Sequence, residues 1–476
     1  MPSRSLSITI LGAGPAGLRI ASRLLRRRDL ELDLTIVEKH HSPGGIAASF
    51  QEEGIWLDYG SHRLHPATPR DILDDIEELI APSLLKRKRN GRIRLQGRYL
   101  KFPLQPLDCL LRLPPSFIAG ILQDILKKPF RPAKTAESFA DLLLQGLGPT
   151  ICRNFYFPYA RKLWGCPPDE IDMEQARKRV SGSSISKIIH KMSAFLPGFR
   201  KPNTGIFYYP EQGIGQISAA LAEEVIAQGG KILYNTELTA IQTNKAAVSS
   251  ISMKTENGTT RELESSFIFS TIPISRTVSL LSLAETDPAT VAAKTLHSRS
   301  MIFFYLLMNC DQWQPVDAHY FPEKEYLFSR ISEGKNYNGT TSPAGKTIIC
   351  CEIPCMENDA LWRADDEQLK TRVLEDLQKA GIPAGNLLRV FSRRKTNVYP
   401  VYRIGYPKQL KIIEERLSRT EGLVSLGRQG LFTHDNIHHS MMMADRAARC
   451  LTEKGEWDRK LWEQYCEEFA GYVVED

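Results

Sequence analysis

The first forty residues switch between two hydrophobic periodicities. Ser7–Leu11 is a short run of apolar and β-branched residues, which predicts a strand. From Leu18 to Arg28 the apolar positions Leu18, Ile20, Ala21, Leu24 and Leu25 oppose Arg19, Arg23 and Arg26–Arg28, which predicts a helix. Leu32–Val37 reads as a second strand. Residues 104 to 200 are mostly helical in pattern, with amphipathic stretches at Leu107–Leu113 and Phe117–Leu126. Strand-like sequence returns at Ile206–Pro210, and a helix is predicted from Ile217 to Gln228. Lys231–Thr243 and Ala247–Thr255 alternate as strands do, with a turn at Asn257-Gly258, and Phe267–Ile272 ends at Pro273. The apolar runs Met301–Met308 and Thr347–Ile353 predict a second sheet within 275–390. Gly422–Phe432 then reads as strand and glycine turn, followed by a polar segment and a helix to about Cys450.

This order gives an α/β protein: a discontinuous Rossmann-like nucleotide-binding domain carrying an inserted α+β substrate domain. A chain of 476 residues is long enough for two cores. The expected spans are 1–100, 201–274 and 395–476 for the nucleotide domain, and 101–200 with 275–394 for the substrate domain.

Composition changes this picture little. With 42% hydrophobic and 25% charged residues the chain has the profile of a globular protein, and no apolar run is long enough to span a membrane. The N-terminal apolar stretch leads directly into a glycine motif, which marks a first strand and not a secretory signal. A formal charge of +7 is modest for the length and argues against nucleic acid as a partner. The nine cysteines include no C-x-x-C pair, so buried thiols in a reducing, cytoplasmic compartment are expected and no metal site is. Lys86–Lys101 holds eight Lys or Arg and no acid. A solvated basic loop is the preferred reading, and peripheral docking on the anionic inner face of a membrane is the alternative.

The chemistry begins at Gly12-Ala13-Gly14-Pro15-Ala16-Gly17, between the first strand and the first helix. Gly12 permits the tight turn, Gly14 lets the backbone approach a pyrophosphate, and Gly17 allows close helix–strand packing. The following helix offers unpaired N–H groups to phosphates. Glu38 ends the second strand 21 residues after Gly17, where an acid accepts from a ribose hydroxyl. Lys39 follows it, and Gly44-Gly45 would let the chain pass close to a bound cofactor.

The E-x(5)-GG segment formed by Glu38, Gly44 and Gly45 resembles that of the flavoprotein superfamily containing amine oxidases, protoporphyrinogen oxidases, phytoene desaturases and UDP-galactopyranose mutases. Tyr59-Gly60-Ser61-His62 resembles its Y-G-x-H segment. Tyr159-Ala160-Arg161-Lys162-Leu163-Trp164-Gly165 resembles its Y-x(2)-K-x-W-G stretch, and Gly427-Arg428-Gln429-Gly430 its G-R-x-G motif. The resemblance spans nearly the whole chain and implies non-covalent FAD. It places Gly60, Ser61, His62, Gly427, Arg428, Asp435 and Asn436 near the cofactor, with His62 and Tyr402 as catalytic candidates. Tyr399 and Tyr406 are implied to face the substrate. One departure bears on the chemistry. Where the mutases continue K-R into x-P-V-R, this chain has Lys178-Arg179 followed by Val180-Ser181-Gly182-Ser183-Ser184, without the diphosphate-gripping arginine.

The expected function is an FAD-dependent dehydrogenase, oxidase or desaturase acting on a small molecule, with a glycan or lipid precursor as candidate substrate. Redox-neutral sugar mutase or isomerase chemistry is the alternative, and a non-catalytic flavin-binding scaffold is a third reading.

Overall fold

The computed structural model describes residues 5–130, 135–180, 205–382 and 384–474. Five parallel strands form the first sheet in the order Leu423–Ser425, Phe267–Ser270, Leu6–Leu11, Leu32–Val37 and Lys231–Leu233. A strand's side chains alternate between faces, so this sheet feeds two cores. Ile8, Ile10, Phe267 and Phe269 pack with the helices Pro15–Leu25, Gly215–Ala227 and Ile437–Cys450. Leu11, Val37 and Ile268 pack instead under a three-stranded antiparallel sheet, Thr236–Asn244, Ala247–Thr255 and Thr260–Glu264. The helix Tyr406–Ser418 joins that second core through Ile413 and Leu417.

The first helix starts at Pro15, where a missing N–H costs nothing and φ is already helical. Its buried Arg19 donates to Asp445 at 2.7 and 2.9 Å and also pairs with Asp75. One guanidinium thus ties the opening helix to the helix Ile437–Cys450, with both carboxylates compensating its burial.

The second sheet has seven strands, in the order Leu387–Val401, His297–Met308, Thr347–Cys355, Arg330–Glu333, Ala318–Tyr320, Gly91–Leu95 and Arg98–Phe102. All pairings are antiparallel except that of Ala318–Tyr320 with Gly91–Leu95. The helix Asp366–Lys379 covers one face. Met301, Phe303 and Tyr305 on the other face meet Ile55 and Leu57 from the nucleotide side. Between residues 106 and 179 the described chain is mostly helical, in agreement with its periodicity. Ser181–Ser184 lie outside the described residues.

Two expectations are corrected. Lys86–Lys101 is not a loop: Leu84–Lys88 pairs with Ile206–Pro210, and Gly91–Leu95 with Arg98–Phe102 forms a hairpin at the sheet edge. The alternation Arg92-Ile93-Arg94-Leu95 turns Ile93 and Leu95 into a core and the arginines to the opposite face, where Arg94 pairs with Glu323, a strand pattern hidden by its charge. The chain also leaves the second sheet later than 395, because the strand Leu387–Val401 continues to Val401.

Candidate active site

A cavity of about 880 Å³ runs from the first glycine turn to the inner face of the second sheet. That lies toward the upper end of the ~300–1,000 Å³ usual for organic ligands. Gly12, Gly14, Pro15, Ala16, Glu38, Lys39, Gly44, Gly45, Ser61, His62, Tyr399, Arg428, Asp435 and Asn436 line it. Gly17, Gly60 and Gly427 do not line it but are next in sequence to residues that do.

The glycines divide by what surrounds them. Gly12 has φ +99°, and a Cβ there would sit 2.8 Å from Thr271 Oγ1. A Cβ on Gly17 would lie 2.0 Å from the Gly12 carbonyl oxygen, so only glycine allows this helix–strand approach. Gly14 has an extended backbone (φ −77°, ψ 176°), and a Cβ there would meet nothing within 4 Å. Its space belongs to the cavity. No side chain caps the helix that starts at Pro15, so its first N–H groups remain available to an anion.

Glu38 Oε2 accepts from Ala13 N–H at 2.8 Å, and Oε1 accepts from His40 N–H at 2.9 Å. An ionised carboxylate has about four acceptor sites, so this one retains capacity for ribose hydroxyls. Gly44 N–H donates to Ala13 O at 2.8 Å, which draws the glycine pair against the first turn. Across the cavity a Cβ on Gly427 would meet Ala16 Cβ at 2.7 Å, so the C-terminal motif abuts the first helix. Arg428 donates to Asp435 O at 3.0 Å, Asp435 Oδ1 at 3.3 Å and Val398 O at 3.0 Å. This fixes the entry to the helix Ile437–Cys450, whose N-cap is Asn436. An open glycine cradle, an uncapped helix start and a carboxylate with spare acceptor sites together fit the ADP half of FAD.

His62 lies deep in the protein yet faces the cavity. Its Nε2–H donates to Tyr59 O at 2.9 Å, leaving Nδ1 as the acceptor. Burial pushes its pKa down to about 4, helped by the nearby Arg330. At neutral pH it is therefore an uncharged hydrogen-bond acceptor and a weak base. Behind it, Glu352 takes Arg330 in a two-pronged ion pair at 2.7 and 2.8 Å and accepts from Ser61 N–H at 2.8 Å. Arg63 lies between the rings of Phe207 and Tyr337, at 5.1 and 5.2 Å. Tyr399 is flanked by the guanidinium groups of Arg179 and Arg428, each 5.5 Å from its ring.

Tyr402 and Tyr406 are placed elsewhere. The strand ends at Val401, and the turn that follows swings Tyr402 into the core, stacked on Tyr406 at 4.1 Å and against Phe432. Neither ring lines the cavity. The Y-x(2)-K-x-W-G segment is likewise structural: Lys162 Nζ donates to Phe321 O at 2.7 Å and Phe328 O at 3.1 Å, and Trp164 packs edge-on against Phe139.

Sequence reasoning missed Arg63, Arg330, Glu352 and Lys395 as wall residues. Glu352 did leave a signal, as the one charged residue in the apolar run Thr347–Cys355.

The sheet order, the glycine turn and the acid at the end of the second strand define a dinucleotide-binding protein. Residues 15–406 match the family profile described as flavin containing amine oxidoreductase, and the chain belongs to that family. It binds FAD and is a flavin-dependent enzyme of the oxidoreductase class. It is 22% identical over 448 residues to coproporphyrinogen III oxidase of Staphylococcus aureus, covering 87% of this chain and 92% of that protein. The fold is similar to a crystal structure of reduced UDP-galactopyranose mutase, with a TM-score of 0.81 at 21% identity, covering 99% and 100% of the two chains. It is also similar to a provisionally assigned protoporphyrinogen oxidase from Exiguobacterium sp., with a TM-score of 0.70 at 19% identity, covering 94% and 98%. No helix among the described residues is long and apolar enough to cross a membrane.

Proposed function

We propose that the protein oxidises a small anionic organic substrate by hydride transfer from a C–H bond, the neighbouring C–H or N–H giving up a proton as the double bond forms. The observation that carries this reading is the continuous cavity, which joins the nucleotide cradle to an aromatic wall made by Tyr59 and by Phe303, Tyr320 and Tyr399 of the second sheet. Bound FAD supplies a hydride acceptor at flavin N5. The protein's part is to hold the substrate against that atom and to exclude water. Nine Lys or Arg on the wall, among them Arg63, Arg179, Arg330, Arg394, Lys395 and Arg428, outnumber the four carboxylates Glu38, Glu237, Glu352 and Asp435, which favours a substrate bearing carboxylate or phosphate groups. His62 Nδ1 orients a donor on the substrate or on the flavin edge.

Anaerobic mixing tests the reading. Coproporphyrinogen III, a tetracarboxylate, is the first candidate because of the relative from Staphylococcus aureus; putrescine is the cationic control. Bleaching of the oxidised flavin band by an anionic substrate and not by the diamine supports the proposal. Bleaching by putrescine alone overturns it.

Redox-neutral sugar-nucleotide chemistry is the second reading. It is favoured by Arg179, whose guanidinium faces the cavity beside Tyr399 while Lys178 turns away to Phe469 O and Ala470 O. Turnover of UDP-galactopyranose by the pre-reduced protein, with no change in flavin redox state, would select it.

A further inference from the structure

The helices Pro106–Arg112 and Pro115–Lys127 are apolar on two sides. Inward, Cys109, Leu113 and Phe117 close a core with Ile93, Leu95 and Leu100. Outward, Leu107, Leu110 and Leu111 share one face of the first helix, and Leu122, Leu126 and Phe130 repeat at four-residue spacing along and just beyond the second. These six side chains are 56–85% exposed. The outer face of a water-facing helix is ordinarily polar, and six large exposed apolar side chains on two successive helices mark an interaction surface.

The charges around the patch indicate its partner. Beside the start of the first helix lies a second cavity of about 340 Å³, whose lining includes Lys88, Arg89, Arg92 and Lys101 and no carboxylate. Arg112, Lys127 and Lys128 are exposed at the helix ends. Residues 98–130 contain two acids, and both are engaged. Asp108 accepts from Lys101 N–H at 2.8 Å and Arg112 Nε at 2.9 Å, and the buried Asp124 accepts from Thr150 N–H at 2.7 Å. A second copy docked through a two-fold axis would oppose one basic rim with another. A bilayer with anionic head groups complements both the leucines and the cations.

We infer that this face docks on an anionic lipid bilayer, its leucines entering the acyl boundary and the basic cavity taking phosphate head groups. At 7 and 13 residues the helices are too short to span and suit lying in the interface. Arg89 lines both cavities, so docking brings the lipid surface next to the substrate chamber. The inference does not depend on the reaction proposed above.

Co-sedimentation of the FAD-loaded protein with phosphatidylcholine vesicles, with and without phosphatidylglycerol, tests it. Binding at least about tenfold stronger to the anionic vesicles is expected. A Leu110→Ser/Leu111→Ser/Leu126→Ser variant should lose that binding while keeping its flavin spectrum. Should that variant not fold, Lys88→Glu/Lys101→Glu carries the test, because both side chains are exposed. Equal binding to both vesicle types, or unchanged binding by the variants, overturns the inference. So does a dimer in sedimentation velocity that the leucine variant dissociates, since a second copy would then cover the face.

Discussion

Glu38 and Ala13, 25 residues apart, are joined by a 2.8 Å hydrogen bond from the Ala13 N–H to Oε2 of Glu38. The acid that awaits a ribose is therefore held by the glycine turn that awaits the phosphates, and the two halves of the cradle keep one geometry. Glu38→Gln keeps the shape but replaces one accepting oxygen with an amide donor and removes the charge. Charge-assisted hydrogen bonds contribute about 1.5–3 kcal/mol, so FAD affinity should fall by roughly ten- to a hundredfold. Titration of the apoprotein by flavin fluorescence measures this, and an unchanged dissociation constant would remove Glu38 from the site.

Gly14 and Gly17 should fail in different ways. A side chain at Gly14 enters the cavity and nothing else, and its backbone is compatible with any residue. Gly14→Val should fold with a melting temperature near that of the FAD-free protein and purify colourless. Gly17→Val places carbon against the Gly12 carbonyl and should destabilise the nucleotide domain outright. An FAD-replete Gly14→Val protein would refute the assignment of the cradle.

The parts of the site that were readable from sequence are local. Strand, glycine turn, helix and acid occur within 38 residues, and their geometry follows from their order. The wall residues come from register instead. Arg330 and Glu352 are cross-strand partners, and nothing within either strand announces the pairing. Tyr402 was misplaced for a related reason: the aromatic segment reads as one unit, yet the strand ends within it, so Tyr399 faces the cavity and Tyr402 the core. The basic stretch was misread because charge hid a two-residue alternation.

Glu352 compensates a buried cation, so its removal should cost more than removal of its partner. Glu352→Ala leaves the Arg330 guanidinium unpaired and Ser61 N–H without its acceptor. Breaking a buried pair in this way costs about 3–5 kcal/mol, readable by denaturant unfolding. Arg330→Met strands the Glu352 carboxylate in turn, but that carboxylate keeps its hydrogen bond from Ser61 N–H and the flexible apolar chain fills the space, so this variant should cost less. Losses below about 1 kcal/mol for both variants would mean that the pair is solvated.

Tyr402→Phe separates the buried tyrosine from the chemistry. Its hydroxyl accepts from His434 N–H at 3.2 Å within the core. The substitution should lower stability by about 1 kcal/mol and leave kcat and KM within twofold of the parent. A tenfold fall in kcat without a change in stability would return Tyr402 to the catalytic site.

Buried histidines should make the protein acid-sensitive well above the carboxylate range. Burial lowers His62, His319 and His439 to about 4 and His438 to about 3, against 6.5 for the free side chain. Below pH 6.5 the unfolded chain takes up protons that the folded one refuses. The stability contributed by these neutral rings is thus complete above pH 6.5 and is lost as pH falls toward 4. Asp58 and Glu414 act in the opposite sense, because burial raises them to about 6 and about 7, so the folded state holds their protons first. Burial also lowers His40, His297 and His434 and raises Glu333 and Asp435, so seven imidazoles oppose four carboxyls and stability is lost on balance between pH 6 and 4. His319 offers the cleanest check, since its ring packs edge-on against Tyr99 and Trp313 and does not line the cavity. His319→Asn should lower stability at pH 7 but flatten the slope below pH 6.5 by about one proton's worth, about 1.4 kcal/mol per pH unit. An unfolding free energy that stays level from pH 6.5 to 4.5 in the parent would show that these rings are solvated and charged in the native state.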